Sequence, residues 1–232
     1  MSRMRGEEKL PGVRHAQRLA ERALSGLEGR LRPGMAEWQA AAELRALCME
    51  LPGVEQALTD MVISGPNSAG YHNFATDRVI GAGELILIDF SIVVHGWYSD
   101  MTRMYSLGEP EPEARRICDV VAAAKERAVA AAYPGVAASC LHRAAADLIQ
   151  EQGYGPYFPH GLGHGIGREM HEVPRLNGQS QALLTQGTVF SIEPGIYLPG
   201  RFGARLEDLY YMSEEGIVCL NTEPAVLKIL PV

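Results

Sequence analysis

Residues 85–105 read LILIDFSIVVHGWYSDMTRMY, and the expectations for the whole chain start there. Leu85–Val94 is apolar and β-branched apart from Asp89 and Ser91, the pattern of a largely buried strand. His95-Gly96 is a turn signal, and residues 97–105 return with aromatic and β-branched side chains. A two-residue turn there sets Val94 opposite Trp97, Ser91 opposite Asp100 and Asp89 opposite Thr102. Opposed residues share a face of a sheet, as do residues two apart, so Asp89 and Asp100 become diagonal neighbours on one face. Two carboxylates leaving an apolar strand together repel each other and are poorly solvated. A bound cation, a shared proton or a partner base relieves that. So does an arrangement in which one aspartate caps a turn and the other meets Arg103.

Composition narrows the function classes. At 232 residues and 47% hydrophobic, the chain has apolar material for one sizeable domain. Its net charge is −7 and it has no basic run, which argues against nucleic acid and anionic membrane as partners. No stretch is apolar for long enough to span a bilayer, and MSRMRGEEKL lacks the apolar core of a signal peptide. Cys48, Cys118, Cys140 and Cys219 are scattered, with no CxxC. That usage suits reduced thiols in a cytoplasmic protein better than disulfides or a zinc site.

Residues 1–12 read as a flexible polar leader and 13–232 as one domain. Val13, Ala16, Leu19, Ala23, Leu27 and Leu31 recur at helical spacing, which predicts a helix over 13–31. A second helix is predicted over 36–49, a short strand over 61–63, and a loop carrying His72 over 65–77. Further helices are predicted from Ile117 to near Pro134-Gly135 and over 139–152. The chain also repeats itself. QAAAEL at 39–44 resembles RAAADL at 143–148, an offset of 104 that also lays GELILID at 83–89 on GTVFSIE at 187–193. Asp89 falls on Glu193. We read two helix-plus-sheet units, 13–108 and 112–232, facing each other and each giving carboxylates to a central site.

Glu193 and Glu207 lie equidistant from Gly200, so a hairpin turning at Pro199-Gly200 brings them together. HGLGHGIG at 160–167 alternates glycine with larger residues. If extended, it has one bare face that admits close approach of other chains and one face with His160 and His164. With His171, three histidines fall within twelve residues. The segment is no phosphate loop, since it has neither GxxxxGKS nor GxGxxG between strand and helix. Four carboxylates and an imidazole suit a pair of divalent ions such as manganese better than a thiolate-rich zinc site. Their charges balance two dications, and the generic chemistry is two-metal hydrolysis by a bridging water.

The motifs IDFS (Asp89), SDMTR (Asp100), HGLGHGIG (His164), SIEPGIY (Glu193) and ARLED (Glu207) resemble, in type and order, the metal ligands of the pita-bread metallopeptidases. That family comprises prolidase, Xaa-Pro aminopeptidase, methionine aminopeptidase and the metal-free creatinase. The resemblance runs from about Val13 to the C-terminus. It implies an α+β fold of two pseudo-symmetric halves and a metallo-exopeptidase with two divalent ions, manganese first, cobalt or zinc next. In it Asp100 and Glu207 bridge the ions, Asp89 completes one, and His164 with Glu193 the other. Glu193 is also the proton acceptor from the attacking water. His72 matches a loop histidine that meets the scissile peptide, and His171 one that stabilises the tetrahedral intermediate. His160 matches an outer histidine near the metals, and Arg205 a nearby arginine that orders the site. His72 lies 17 residues before Asp89, as in the proline-specific branch, and Arg175 matches an arginine that holds a dipeptide's C-terminal carboxylate. The implied partner is a short peptide, with a homodimer allowed. Non-proline aminopeptidases share the chemistry, and metal-free binding modules share the fold. The chain departs from the family in having Phe90-Ser91 where DxG is common. It also has no room ahead of Val13 for the separate N-terminal domain of many relatives, so it is expected to be a compact member or part of a longer chain.

Overall fold

The computed structural model of the protein describes residues 2–232, with side chains from residue 9 onward. The first half runs α1 (Ser2–Glu28), α2 (Glu37–Met49), β1 (Val54–Ser64), β2 (Leu85–Val94), β3 (Trp97–Tyr98) and β4 (Met101–Leu107). The second runs α3 (Pro112–Ala130), β5 (Val136–Ala137), α4 (Ala138–Glu151), β6 (Gly163–Gly165), β7 (Glu172–Leu176) and β8 (Leu183–Leu184). It continues with β9 (Val189–Ile192), β10 (Gly195–Leu198), β11 (Phe202–Arg205), β12 (Asp208–Met212) and β13 (Ile217–Cys219). A last strand, β14 (Leu227–Leu230), returns to pair in parallel with β4.

One five-stranded sheet has the order β1-β2-β4-β14 with β3 beside β2, a second has the order β13-β12-β9-β6-β7, and β10-β11 and β5-β8 pair as two-stranded sheets. β2 is apolar on both faces because both are covered. Ile86, Ile88, Phe90 and Ile92 pack with α1 and α2, while Leu85 and Leu87 join the core built on α3 and α4. Asp89 shares the alternation of Leu85 and Leu87, so it looks toward the second half. The turn has the expected register: Val94 pairs with Trp97 and Asp89 with Thr102. His95 and Gly96 both take positive φ, 50° and 71°, as a tight two-residue hairpin turn demands. The halves meet at an isolated antiparallel bridge between Thr102 and Glu207, with the Glu207 N–H donating to the Thr102 carbonyl at 3.1 Å.

The repeat has structural counterparts. β2 and β9 begin 104 residues apart, at Leu85 and Val189. The glycines before them, Gly83 and Gly187, both adopt positive φ (75° and 89°). The Glu193/Glu207 hairpin also forms in the expected register, with Gly195 opposite Arg205 and Leu198 opposite Phe202.

Several expectations need correction. Residues 9–12 belong to α1 rather than to a leader: Lys9 bonds Glu172 at 2.7 Å and Leu10 packs against the core cluster that holds Val13, Ile166 and Leu209. Of residues 2–8 only the helical backbone is described, and residue 1 lies outside the described residues. α1 ends at Glu28, before Gly29, a poor helix former, and not at Leu31. α3 stops at Ala130, short of Pro134. β1 starts at Val54 rather than Met61, because its polar residues Glu55, Gln56 and Asp60 hide a strand that pairs with β2 alone.

The glycine alternation in β6 serves close approach. A Cβ on Gly163 would overlap the Ser191 carbonyl oxygen, and one on Gly165 the Val173 carbonyl. Gly163→Ala is therefore expected to destabilise the fold by about 1–3 kcal/mol. The urea midpoint should fall with its slope unchanged; an unmoved midpoint would show that the strands have room to spare.

Candidate metal centre

The hairpin β2–β4 presents Asp89 and Asp100, β6 presents His164, and the segments flanking the β10–β11 hairpin present Glu193 and Glu207. Asp100, His164 and Glu207 are buried, and each offers a ligand atom within 4.8 Å of the others. His164 Nε2 lies 3.2 Å from Glu193 Oε1 and 3.6 Å from Asp100 Oδ2. The Thr102 hydroxyl sits between Asp89 and Glu207, 3.0 Å from Asp89 Oδ2 and 2.9 Å from Glu207 Oε2. A hydroxyl has one proton, so only one of them is served at a time. Glu207 Oε1 is buried with no hydrogen-bond partner among the described residues.

Electrostatics report the same crowding. Burial first, then neighbouring carboxylates (Asp89 for Asp100, Asp100 for Glu207), hold both carboxyls well above the usual range. On Glu193 burial acts in the same direction, but the His164 hydrogen bond and charge outweigh it and hold the carboxyl low. Burial works against charge on His164, yet Glu193 and Asp100 push it up to about 9. His164 Nδ1 lies 3.1 Å from the Gly165 carbonyl, to which it donates. With a cation bound the ring would be neutral, and that bond then fixes the tautomer that leaves the Nε2 lone pair free for the ion. An acid cluster with an orphaned oxygen and an aimed imidazole nitrogen fits a divalent cation well.

The surroundings hold these groups in place. Arg205, buried, bonds Asp89, and it also reaches Tyr197 Oη at 2.7 Å, Thr102 Oγ1 at 3.1 Å and the Tyr71 carbonyl at 3.3 Å. Ser191 Oγ donates to Glu193 Oε1 at 3.0 Å and accepts from the His164 N–H at 3.1 Å. His160 joins Tyr197 Oη at 2.9 Å. His171 stands edge-on to His164 with ring centroids 4.4 Å apart, and His72 lies 4.4 Å from the Tyr71 ring. Arg175 is opposite His164 in the β6–β7 register, and no salt bridge engages it among the described residues.

All ten residues singled out by sequence (His72, Asp89, Asp100, His160, His164, His171, Arg175, Glu193, Arg205 and Glu207) line one cavity of about 610 Å³. Sequence reasoning missed Thr102, Ser191 and Tyr197. The hairpin register already set Thr102 against Asp89, and Ser191 and Tyr197 lie within the SIEPGIY motif, so a signal existed for each.

Two facing helix-and-sheet halves around such a pocket make the pita-bread fold. The chain superposes on the X-Pro aminopeptidase of Thermotoga maritima with a TM-score of 0.94 at 37% identity, covering 98% of this chain and 66% of that one. The prolidase of Pyrococcus horikoshii gives 0.91 at 35%, covering 95% and 64%. By sequence the chain is 38% identical to the Xaa-Pro dipeptidase of Pyrococcus furiosus over 211 residues, 90% of this chain and 60% of that protein. It is 36% identical over 227 residues to the probable dipeptidase PepE of Mycobacterium tuberculosis, again 60% of that protein. Residues 11–214 match metallopeptidase family M24, and the chain belongs to that family. It spans about 60% of the length of these curated relatives.

Proposed function

We propose that the protein is a metal-dependent exopeptidase of prolidase type, hydrolysing Xaa-Pro dipeptides or short peptides from the free N-terminus. A pair of divalent ions, manganese foremost, would be held by Asp89, Asp100, His164, Glu193 and Glu207. The observation that carries this is Glu207 Oε1, buried without a donor inside a cluster of carboxylates at which an imidazole nitrogen is aimed. The chain's relatives include an Xaa-Pro dipeptidase, an X-Pro aminopeptidase and a prolidase, which supports the substrate class. Divalent ions in such a donor set supply Lewis acidity, acidifying water and polarising a carbonyl.

The chain's own side chains do the rest. Glu193, whose Oε1 is held by the Ser191 hydroxyl, takes the proton of the attacking water. His171 is kept neutral by burial foremost, with the charge of Arg175 adding to it. It offers an N–H to the oxygen on which charge develops. His72 meets the peptide from the loop side. Arg175, exposed on the cavity wall, takes the C-terminal carboxylate of a dipeptide in its fork. Arg205 and Thr102 keep Asp89 in place. Cys48, Cys118, Cys140 and Cys219 are all free thiols, and no helix among the described residues is long and apolar enough to cross a membrane. Both fit a cytoplasmic peptidase.

Ala-Pro, Ala-Pro-Ala and Met-Ala-Ser assayed with manganese, cobalt and zinc test this reading. Ala-Pro with manganese should be turned over fastest. Arg175→Ala should raise KM for Ala-Pro about 10- to 100-fold, the worth of a charge-assisted pair, and leave kcat within about twofold. Faster cleavage of Met-Ala-Ser, indifferent to Arg175→Ala, would reassign the site to a non-proline aminopeptidase.

A further inference from the structure

Glu37 opens α2, is fully buried, and has no part in the chemistry described above. Its carboxylate accepts five hydrogen bonds. Oε1 takes the Ser64 N–H at 2.6 Å and the Ser64 hydroxyl at 2.9 Å. Oε2 takes Asn67 Nδ2 at 2.7 Å, the Thr76 N–H at 3.0 Å and the Thr76 hydroxyl at 2.9 Å. Ser64 is the last residue of β1, and Thr76 is where the loop returns to α2. One carboxylate therefore clamps both ends of the loop and, through Asn67, its first turn.

The clamp works in both directions. The returning limb caps α2, with Trp38 N–H donating to the Thr76 carbonyl at 3.0 Å and Glu37 N–H to the Arg78 carbonyl at 2.9 Å. A helix start also favours a negative charge, so the loop and the helix stabilise each other. Inside the loop, Asn67 Nδ2 donates to the Phe74 carbonyl and Asn73 Nδ2 to the Asn67 carbonyl, both at 3.0 Å. On the far side Ser68 Oγ accepts the Gly203 N–H at 2.9 Å, fixing the loop to β11. The span so held presents Tyr71, His72 and Phe74 to the cavity.

We propose that Glu37 is a positioning residue that sets loop 65–76, and through it His72, against the substrate cavity. The reaction it serves rests on the peptidase reading, whereas the ordering of the loop does not. Glutamine has the same shape but turns an N–H₂ group toward donors that need an acceptor. A misplacement of about 1 Å can cost a reaction roughly 100-fold.

The test uses the full chain loaded with manganese. Glu37→Gln should leave metal content unchanged and lower kcat/KM for Ala-Pro about 10- to 100-fold. In a His72→Ala background the same change should cost less than about twofold, because the two residues act as one unit. Hydrogen exchange should rise more than about tenfold over 65–76 and stay unchanged in β2 and β9. Equal costs in both backgrounds, or an unmoved exchange pattern, would overturn the proposal. If Glu37→Gln does not yield folded protein, Asn67→Ala runs the same cycle with a smaller loss, about three- to fivefold. A wild-type protein inactive on Ala-Pro would sink the prolidase-type reading alone, and exchange over 65–76 would still decide the role of Glu37.

Discussion

Glu207→Gln is expected to abolish divalent-metal binding and peptide hydrolysis while making the metal-free protein more stable. Losing an outer partner of a metal ligand typically costs 10- to 100-fold in affinity. Glu207, buried at the meeting of both halves with one oxygen unpartnered, should therefore cost more than about 100-fold in affinity and at least as much in turnover. The stability change has the opposite sign. Burial and the neighbouring carboxylates raise the Glu207 carboxyl in the folded chain, so folding without an ion is penalised above the ordinary carboxylate pKa. The penalty is in full force above the folded-state pKa and fades as pH falls toward the unfolded value. Glutamine removes the charge and lets an N–H₂ group face the acidic cluster, for a gain of about 1–3 kcal/mol near neutral pH. Thermal melts in chelator and in manganese, with elemental analysis, check both halves. A variant that still gained wild-type stability from manganese would refute the assignment.

Asp208→Ala should be the most damaging change outside the cavity. Asp208 is buried between Arg103, whose Nη2 donates to it at 2.8 Å, and Lys125 of α3, which also bonds it. Arg103 further reaches the Glu207 and Glu223 carbonyls. The network thus ties β4, β12 and α3 together directly behind the Thr102–Glu207 bridge. Removing the one anion leaves two buried cations unpaired, a loss of about 3–5 kcal/mol. For a chain of this size that lowers Tm by roughly 6–20 °C. Asp60→Ala breaks the exposed Arg45–Asp60 pair at 3.3 Å and should cost below about 1 kcal/mol. Comparable losses from the two variants would show that burial does not set the cost.

What the sequence made legible was local and periodic. The hairpin register followed from one turn signal and the two-residue period of a strand, and it set Asp89 against Thr102 correctly. The symmetry of Glu193 and Glu207 about Gly200 worked for the same reason. The alternating glycines of 160–167 announced close packing without naming the partner, which proved to be the backbone at Ser191 and Val173. Contacts across long separations carried no such pattern. β14 pairs with β4 from the far end of the chain, and β7 is a strand only because β6 lies beside it. Lys125 reads as one charged residue on a helix until the fold brings Asp208 to it. Glu37 looks like an ordinary first-turn acid until Ser64 and Thr76 converge on its carboxylate.

Crystals grown with manganese and measured at an energy where it scatters anomalously address the metal pair itself. Two strong peaks are predicted inside the cavity, in contact with Asp89, Asp100, His164, Glu193 and Glu207, and absent from Glu207→Gln crystals grown alongside. A cavity without anomalous density at saturating manganese, or peaks on other side chains, would contradict the metal centre and the peptidase built on it.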